Sequence, residues 1–226
     1  MKVHKIKGIL FDMDGVLVDS NTEVENFWRA WAVKENVIIT DHIIAEHIYG
    51  RTTADTIKEL FQHSHSLIKE QIVEDAIAFD RNLNPSLIKD AERFIREMAS
   101  GFQKIAVVTS APLERTLKIL ELHNISRFFT CCVTGDEITM GKPDPEPYLL
   151  AAAKLKLHPK DCLVLEDSNS GILSALTAGM YVIAVNNQTY QNDSIISHIM
   201  DYTELQVHNH FIRMDKNQLK IELMTG

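Results

Sequence analysis

Short apolar runs alternate along this chain with longer amphipathic segments, and this alternation restricts the possible folds more than any other feature. The apolar runs lie at 6–11, 105–108, 131–133, 162–165 and 182–185. Strands that are apolar throughout, rather than at every second residue, are typical of sheets buried on both faces. Segments with helical patterns separate most of these runs, at 87–98, 113–123, 146–156 and 170–178. Strands that alternate with helices predict right-handed crossovers and an open parallel sheet.

The interval from 20 to 79 breaks this alternation, because it shows helical patterns without an intervening strand. One helical face at 22–35 is formed by apolar residues spaced i, i+3, i+4 and i+7, namely Val24, Phe27, Trp28 and Trp31. The patterns at 52–61 and 68–79 are also helical. A helical block that interrupts the chain after its first strand predicts an inserted lid domain. Its linkers are expected at 19–21 and 80–85.

Charge and composition limit the possible partners. The 226 residues include 31 Asp and Glu against 23 Lys and Arg, for a formal net charge of −8. Since no basic cluster offsets this balance, we expect no nucleic-acid partner. The apolar runs are too short to span a bilayer, so we expect no membrane partner. We interpret the three cysteines, Cys131, Cys132 and Cys162, as buried reduced thiols and expect a cytoplasmic protein.

A pair of carboxylates follows the first predicted strand. Asp12 and Asp14 come directly after Phe11, at the carboxyl edge of the sheet, where open α/β sheets bind ligands. One such acid could attack a substrate, while the other protonates the leaving oxygen and later deprotonates water. Gly15 allows a tight turn whose N–H groups face an anion. Taken alone, the pattern fits a solvated acidic turn equally well.

Three later strands add polar residues at the same predicted edge. Thr109 and Ser110 follow the second strand and precede a helix, a place suited to phosphate binding, although such hydroxyls also serve as N-caps. Lys142 lies between a glycine and three prolines in a constrained loop, where it could neutralise a nucleophile and a phosphate. Glu166 and Asp167 follow the next strand and offer the oxygen ligands that Mg²⁺ prefers. Together, these acids at one edge indicate a bound cation.

These four segments resemble the motifs of the haloacid dehalogenase superfamily of phosphotransferases, from residue 6 to about residue 185. The resemblance implies a Rossmann-like catalytic core made of 1–19 and 80–226, with a helical cap at 20–79. It implies Asp12 as the nucleophile and Asp14 as the general acid/base. It also implies phosphate binding by Thr109, Ser110 and Lys142. The Mg²⁺ ligands it implies are Asp12, the backbone carbonyl of Asp14, Asp167, and Glu166 directly or through water.

Departures from the family patterns favour hydrolysis of a phosphate ester. Hydrolytic dehalogenases of the superfamily have an aromatic residue in place of Asp14. Phosphonate-cleaving members use a cap lysine, and no lysine occurs between Val37 and Ile57. Sugar phosphomutases carry a histidine at the position we align with Val24. A phosphomutase similar to beta-phosphoglucomutase, a phosphoglycolate phosphatase and a non-catalytic binding or regulatory protein remain alternatives.

The cap is expected to select the substrate. Residues 48–57, with Gly50 and Arg51, resemble the cap of phosphatases of glycerol phosphate and simple sugar phosphates. We hypothesise that Arg51 contributes to selectivity, the alternative being that it caps its own helix. The expected partner is a small phosphate ester, with the chain a monomer or weak homodimer. The tail at 207–226 has no predicted role beyond two short strands, 211–214 and 219–223, joined by a turn at 215–217.

Overall fold

The computed structural model describes residues 3–101, 104–187, 190–192, 194–208, 211–214 and 219–224. In these ranges the strands are β1 (Val3–Ile6), β2 (Gly8–Phe11), β3 (Val18–Asp19), β4 (Ser86–Leu87), β5 (Ile105–Val108), β6 (Cys131–Val133), β7 (Cys162–Glu166), β8 (Tyr181–Val185), β9 (Ile195–Ile199), β10 (Leu205–His208), β11 (Phe211–Met214) and β12 (Leu219–Leu223). The α-helices are α1 (Asn21–Glu35), α2 (Asp41–His47), α3 (Thr53–Leu60), α4 (Ser66–Asn82), α5 (Ala91–Gly101), α6 (Leu113–Leu122), α7 (Glu146–Lys154) and α8 (Asn169–Thr177).

Six parallel strands form the central sheet, in the order β6-β5-β2-β7-β8-β9. The chain leaves β2 toward β5 and β6 on one side, and returns through β7 toward β8 and β9 on the other. The carboxyl ends of β2 and β7 therefore flank the point where the strand order reverses, which is where open α/β sheets place a ligand crevice. The predicted α/β class with a parallel-sheet core is confirmed.

Both faces of this sheet are covered, as the continuous apolar runs predict. Along β2, Ile9 and Phe11 belong to the core beneath α5 and α6, and Leu10 belongs to the opposite core beneath α7 and α8. Phe11 meets the ring of Phe94 edge-on, with centroids 6.1 Å apart. Such aromatic contacts contribute about 0.5–1.5 kcal/mol beyond burial. Strand β2, which ends immediately before Asp12, is thereby packed on both faces.

Helices α1 to α4, here called the cap helices, lie between β3 and β4. They bury their own apolar cluster, which includes Trp28, Trp31, Ile44, Phe61 and Ile72. The segments that enter and leave the cap helices pair as the antiparallel strands β3 and β4. The division into a core of 1–19 and 80–226 and a cap domain of 20–79 stays a prediction.

Several predicted boundaries in and near the cap were wrong. Sequence patterns missed α2, which has only seven residues, about two turns of helix. Helix α4 begins at Ser66, where the side chain of His65 caps its start, and it continues to Asn82, into the expected linker. The helix predicted at 87–98 begins at Ala91, since Leu87 pairs in β4 and Asp90 adopts a left-handed conformation.

The strand predicted at 6–11 is two strands that belong to different sheets. The exposed Lys7 separates them, and its backbone N–H and its Nζ contact Asp161 at 2.7 and 2.9 Å. Strand β1 joins a second sheet with the order β1-β12-β11-β10. That sheet buries Ile212 and Ile221 in the same core as Phe11.

The C-terminal prediction was right in part. The expected strands are β11 and β12, which pair antiparallel, whereas β9 and β10 were not predicted. The turn expected at 215–217 lies outside the described residues. Cys162 is buried, but Cys131 and Cys132 are partly exposed, which corrects the expectation of three buried thiols. Among the described helices, none combines the length and apolar character needed to cross a bilayer.

Candidate active site

The carboxyl end of β2 presents two acids with different surroundings. Asp12 is 3% exposed, and its backbone N–H donates to Leu165 of β7 over 3.0 Å. Asp14 is partly exposed two residues later, in the turn that begins at Met13. Gly15 adopts φ +72°, and a Cβ there would lie 2.0 Å from a carboxylate oxygen of Asp167. The glycine therefore allows the turn after β2 to approach the end of β7 closely.

A buried lysine connects the ends of three strands. Lys142 is fully buried, and its Nζ lies 2.6 Å from Asp12 Oδ1 and 2.6 Å from Glu166 Oε1. It also donates to the carbonyl of Val108, at the end of β5, over 3.2 Å. The two carboxylates raise the pKa of Lys142 despite its burial, so the lysine remains charged. Lys142 thus contacts Asp12 directly, whereas its role in phosphate binding stays a prediction.

Glu166 is held on both carboxylate oxygens. Oε1 accepts from Lys142 and, over 3.1 Å, from the hydroxyl of Tyr148. Oε2 accepts from the backbone N–H and the hydroxyl of Ser168, at 2.8 and 3.0 Å. A Cβ at Gly171 would lie 1.6 Å from Oε1. These contacts leave Glu166 little freedom to turn toward a ligand.

Three carboxylates, including that of Asp12, converge at the ends of β2 and β7. Asp12, Glu166 and Asp167 each offer an oxygen within 4.8 Å of the others. Burial raises the pKa of Asp12 from 3.8 to about 7, a rise that Lys142 opposes and that Glu166 and Asp14 strengthen. Burial and the neighbouring acids also raise the pKa of Asp167. Mutual repulsion of this kind is what a bound cation relieves.

The side chain of Asp14 lies apart from this group. Its Oδ1 accepts hydrogen bonds from Ser20 and from Arg115. The guanidinium of Arg115 is 8% exposed and also pairs with Asp80 over 3.2 Å. Sequence reasoning missed Arg115. The available signal was its position four residues before Ile119, on the buried face of an amphipathic helix.

Two of the three predicted phosphate ligands, Thr109 and Ser110, border the same cavity as Asp12 and Asp14. The hydroxyl of Thr109, which is 2% exposed, accepts from the backbone of Ala111 over 3.1 Å. The hydroxyl of Ser110 donates to the carbonyl of Gly50 over 2.7 Å. Ser110 therefore contacts the cap, and its predicted role in phosphate binding stays a prediction.

Hydrogen bonds hold the loop between α2 and α3 over this cavity. Besides the contact from Ser110, Ser170 donates to the carbonyl of Tyr49 over 2.8 Å, and Asn169 donates to Glu46 over 2.7 Å. Gly50 adopts φ +70°, and a Cβ there would lie 2.2 Å from the hydroxyl oxygen of Ser168. The loop therefore rests directly on the residues that follow β7.

Arg51 and an apolar wall complete the cavity. The Nε of Arg51 is buried without a hydrogen-bond partner among the described residues. The wall consists of side chains of the cap helices, Val24, Phe27, Trp28, Ala76 and Phe79, and of Ile48, which follows α2. Arg51 and these aromatic side chains line the same cavity as Asp12 and Asp14. The fold brings every sequence-predicted site residue to one end of the sheet.

Comparisons with known proteins agree with this geometry. The family described as haloacid dehalogenase-like hydrolase matches residues 9–185. Hexitol phosphatase A of Escherichia coli is 35% identical over 198 residues, covering 80% of this chain and 84% of that protein. A phosphorylated carbohydrates phosphatase of Thermotoga maritima is 31% identical over 183 residues, covering 77% and 82%. The crystal structure of beta-phosphoglucomutase from Clostridium difficile has a TM-score of 0.77 at 20% identity, covering 89% and 93%, a likeness of fold alone.

Proposed function

Because the chain belongs to the haloacid dehalogenase-like hydrolases, we propose that it is a Mg²⁺-dependent phosphatase of small sugar or polyol phosphates. The observation that supports this most strongly is the fully buried Lys142, whose Nζ lies 2.6 Å from both Asp12 and Glu166. A charged lysine in this position holds the Asp12 carboxylate at the mouth of the crevice between β2 and β7. Relatives named as phosphatases support phosphoric monoester hydrolysis as the reaction class.

The acid cluster fits a hard divalent cation. Carboxylate oxygens of Asp12, Glu166 and Asp167 lie within 4.8 Å of one another, and burial together with the neighbouring acids raises the pKa values of Asp12 and Asp167. Asp12, Asp167 and the backbone carbonyl of Asp14 would hold Mg²⁺ directly. Since both oxygens of Glu166 already accept hydrogen bonds, Glu166 would act through water. When bound, Mg²⁺ neutralises charge on the phosphoryl oxygens.

The chain's own residues supply the chemical steps. A carboxylate oxygen of Asp12 forms a bond to phosphorus while the bond to the ester oxygen breaks. Asp14 gives its proton to the departing oxygen, which leaves as an alcohol. Water then attacks the phosphorus of the aspartyl phosphate and transfers a proton to Asp14, while the bond between the Asp12 oxygen and phosphorus breaks. Inorganic phosphate leaves, and Asp12 is again a carboxylate. Throughout, Lys142 keeps Asp12 in position.

The cavity supports a hydroxylated substrate of modest size. Arg51 can donate to polar groups of the leaving alcohol, and the aromatic side chains of Phe27 and Phe79 can pack against its carbon frame. Val24 lines the cavity at the position where resembling phosphomutases carry a histidine. We therefore favour release of phosphate over its transfer to a second sugar hydroxyl.

Steady-state assays with and without Mg²⁺ test the proposal. We expect phosphate release from p-nitrophenyl phosphate and from a panel of hexitol, hexose and glycerol phosphates together with phosphoglycolate. Chelation of Mg²⁺ and the substitution Asp12→Asn should each abolish it. Asp75→Asn, which alters a surface hydrogen bond to Gln71 on α4, is the matched control and should retain activity. Equal rates for the wild type and Asp12→Asn would remove Asp12 from the mechanism. Isomerisation of a hexose 1-phosphate without phosphate release would instead indicate a phosphomutase.

A further inference from the structure

Arg115 occupies a place where a charged side chain is costly. It lies on the face of α6 that also carries Ile119 and Leu120, and it is 8% exposed. Burying a guanidinium is unfavourable unless carboxylates or other acceptors compensate its charge. The groups that Arg115 contacts must therefore compensate its charge.

Two acids from different parts of the fold share this guanidinium. One amino group donates to Oδ1 of Asp14, in the turn after β2. The other donates to Oδ1 of Asp80, in the last turns of α4, over 3.2 Å. Arg115 thus joins the turn that carries Asp14 to the final cap helix. A planar guanidinium with several N–H donors suits such a double contact, whereas a lysine would offer a single point of charge.

The contacts of Asp14 are unevenly divided between its oxygens. Ser20 and Arg115 both donate to Oδ1, and within the described ranges no hydrogen bond reaches Oδ2. Two donors on one oxygen fix the orientation of the carboxyl plane. Oδ2 is then the oxygen of Asp14 that is available to a substrate.

We propose that Arg115 is a positioning residue for proton transfer by Asp14. The inference rests on the proposed function, which makes Asp14 the group that protonates the leaving oxygen. Arg115 fixes Oδ1, and the proton passes from Oδ2 to the leaving oxygen as its bond to phosphorus breaks. Because Arg115 also contacts Asp80, the orientation of Asp14 depends on the cap helices being seated on the core.

This role predicts an effect that depends on the leaving group. The alkoxide of a polyol is strongly basic and needs a proton to depart, whereas p-nitrophenolate is weakly basic and departs without one. General acid catalysis contributes roughly 10²–10⁴-fold where it is needed. The ratio kcat/KM reports the steps up to the first irreversible one, here departure of the leaving group, and is therefore the quantity to compare.

The experiment measures kcat/KM of Arg115→Met, Arg115→Lys and Asp14→Asn with sorbitol 6-phosphate and with p-nitrophenyl phosphate. For Arg115→Met we expect a loss of at least about tenfold with sorbitol 6-phosphate and less than about threefold with p-nitrophenyl phosphate. Arg115→Lys keeps the positive charge but loses the planar guanidinium. It should show a smaller loss of kcat/KM with the same selectivity for sorbitol 6-phosphate. If Arg115→Met does not fold, Arg115→Lys provides the test. The control is Arg81→Met, which removes an exposed ion pair between α4 and α6 and should affect neither substrate.

Several outcomes would overturn the inference. Equal losses with both substrates would make Arg115 a structural residue, and a rise in KM with unchanged kcat would make it a substrate ligand. If Asp14→Asn discriminates between the substrates but the Arg115 variants do not, only the inference fails. If Asp14→Asn shows no discrimination, the proposed role of Asp14 fails as well.

Discussion

Replacing Lys142 by methionine should destabilise the protein and abolish its activity. The change removes a fully buried ammonium that lies 2.6 Å from each of two carboxylates, those of Asp12 and Glu166, whose side chains are 5% and 0% exposed. Removing one partner of a buried ion pair costs about 3–5 kcal/mol, because the remaining charges are left uncompensated. Since Lys142 lowers the pKa of Asp12, its loss would raise that pKa above the present value of about 7. Asp12 would then be largely neutral at pH 7 and a poor nucleophile.

Urea unfolding of metal-free protein and kcat/KM measurements test this prediction together. Lys142→Met should lose about 3–5 kcal/mol of unfolding free energy and at least about a hundredfold in kcat/KM. Adding Glu166→Gln removes the carboxylate that Lys142→Met leaves buried without its cation, so the double variant should regain part of the stability but none of the activity. Lys154→Met, which loses a partly exposed ion pair with Glu137, should cost at most about 1 kcal/mol. A loss below about 1 kcal/mol for Lys142→Met, or retained activity, would refute the reasoning.

Three further predictions concern pH, packing and selectivity. Burial raises the pKa of Asp12 from 3.8 to about 7, so its contribution to metal-free stability is complete below about pH 4 and is lost as the pH rises through 7. Between these values the unfolding free energy should fall by up to about 1.4 kcal/mol per pH unit. Chemical denaturation at a series of pH values should show a smaller slope for Asp12→Asn. Gly171→Ala would place a Cβ 1.6 Å from Glu166. It should cost several times more unfolding free energy than Gly179→Ala, where no atom lies within 4 Å of the added Cβ and only the left-handed backbone adds about 1–2 kcal/mol. Equal costs for the two variants would contradict close packing of Gly171 against Glu166. Arg51→Ala should change the relative kcat/KM values across a panel of sugar and polyol phosphates, and an unchanged ranking would disprove a role in selectivity.

The central sheet was predictable because its strands are apolar throughout. Runs such as 105–108 and 131–133 match observed strands residue for residue. The break at Lys7 was not predictable, since apolar residues flank it on both sides and the separation appears only when β1 pairs with β12. Strands β1 and β12 are far apart in the sequence, and a local sequence pattern does not show which distant strand will pair with which.

The candidate site followed from the order of the strands more than from any single residue. Carboxyl ends of parallel strands meet at one edge, so acids placed after β2 and β7 were expected to converge, and Asp12 and Asp167 do. Arg115 could not be assigned in the same way, because a lone arginine on a helix is ordinarily solvent-facing. Its contact with Asp14 spans 101 positions of sequence and depends on how α6 packs beside the turn after β2.

The most direct test of the account is to trap the phosphorylated enzyme. With ³²P-labelled substrate and Mg²⁺, acid quenching during turnover should yield labelled protein whose phosphate is stable to acid and released by hydroxylamine, as expected for an acyl phosphate. Reduction with borohydride should convert Asp12, and no other aspartate, to homoserine, as read from peptide mass spectra. Absence of label during rapid turnover, or label on a residue other than Asp12, would contradict the account.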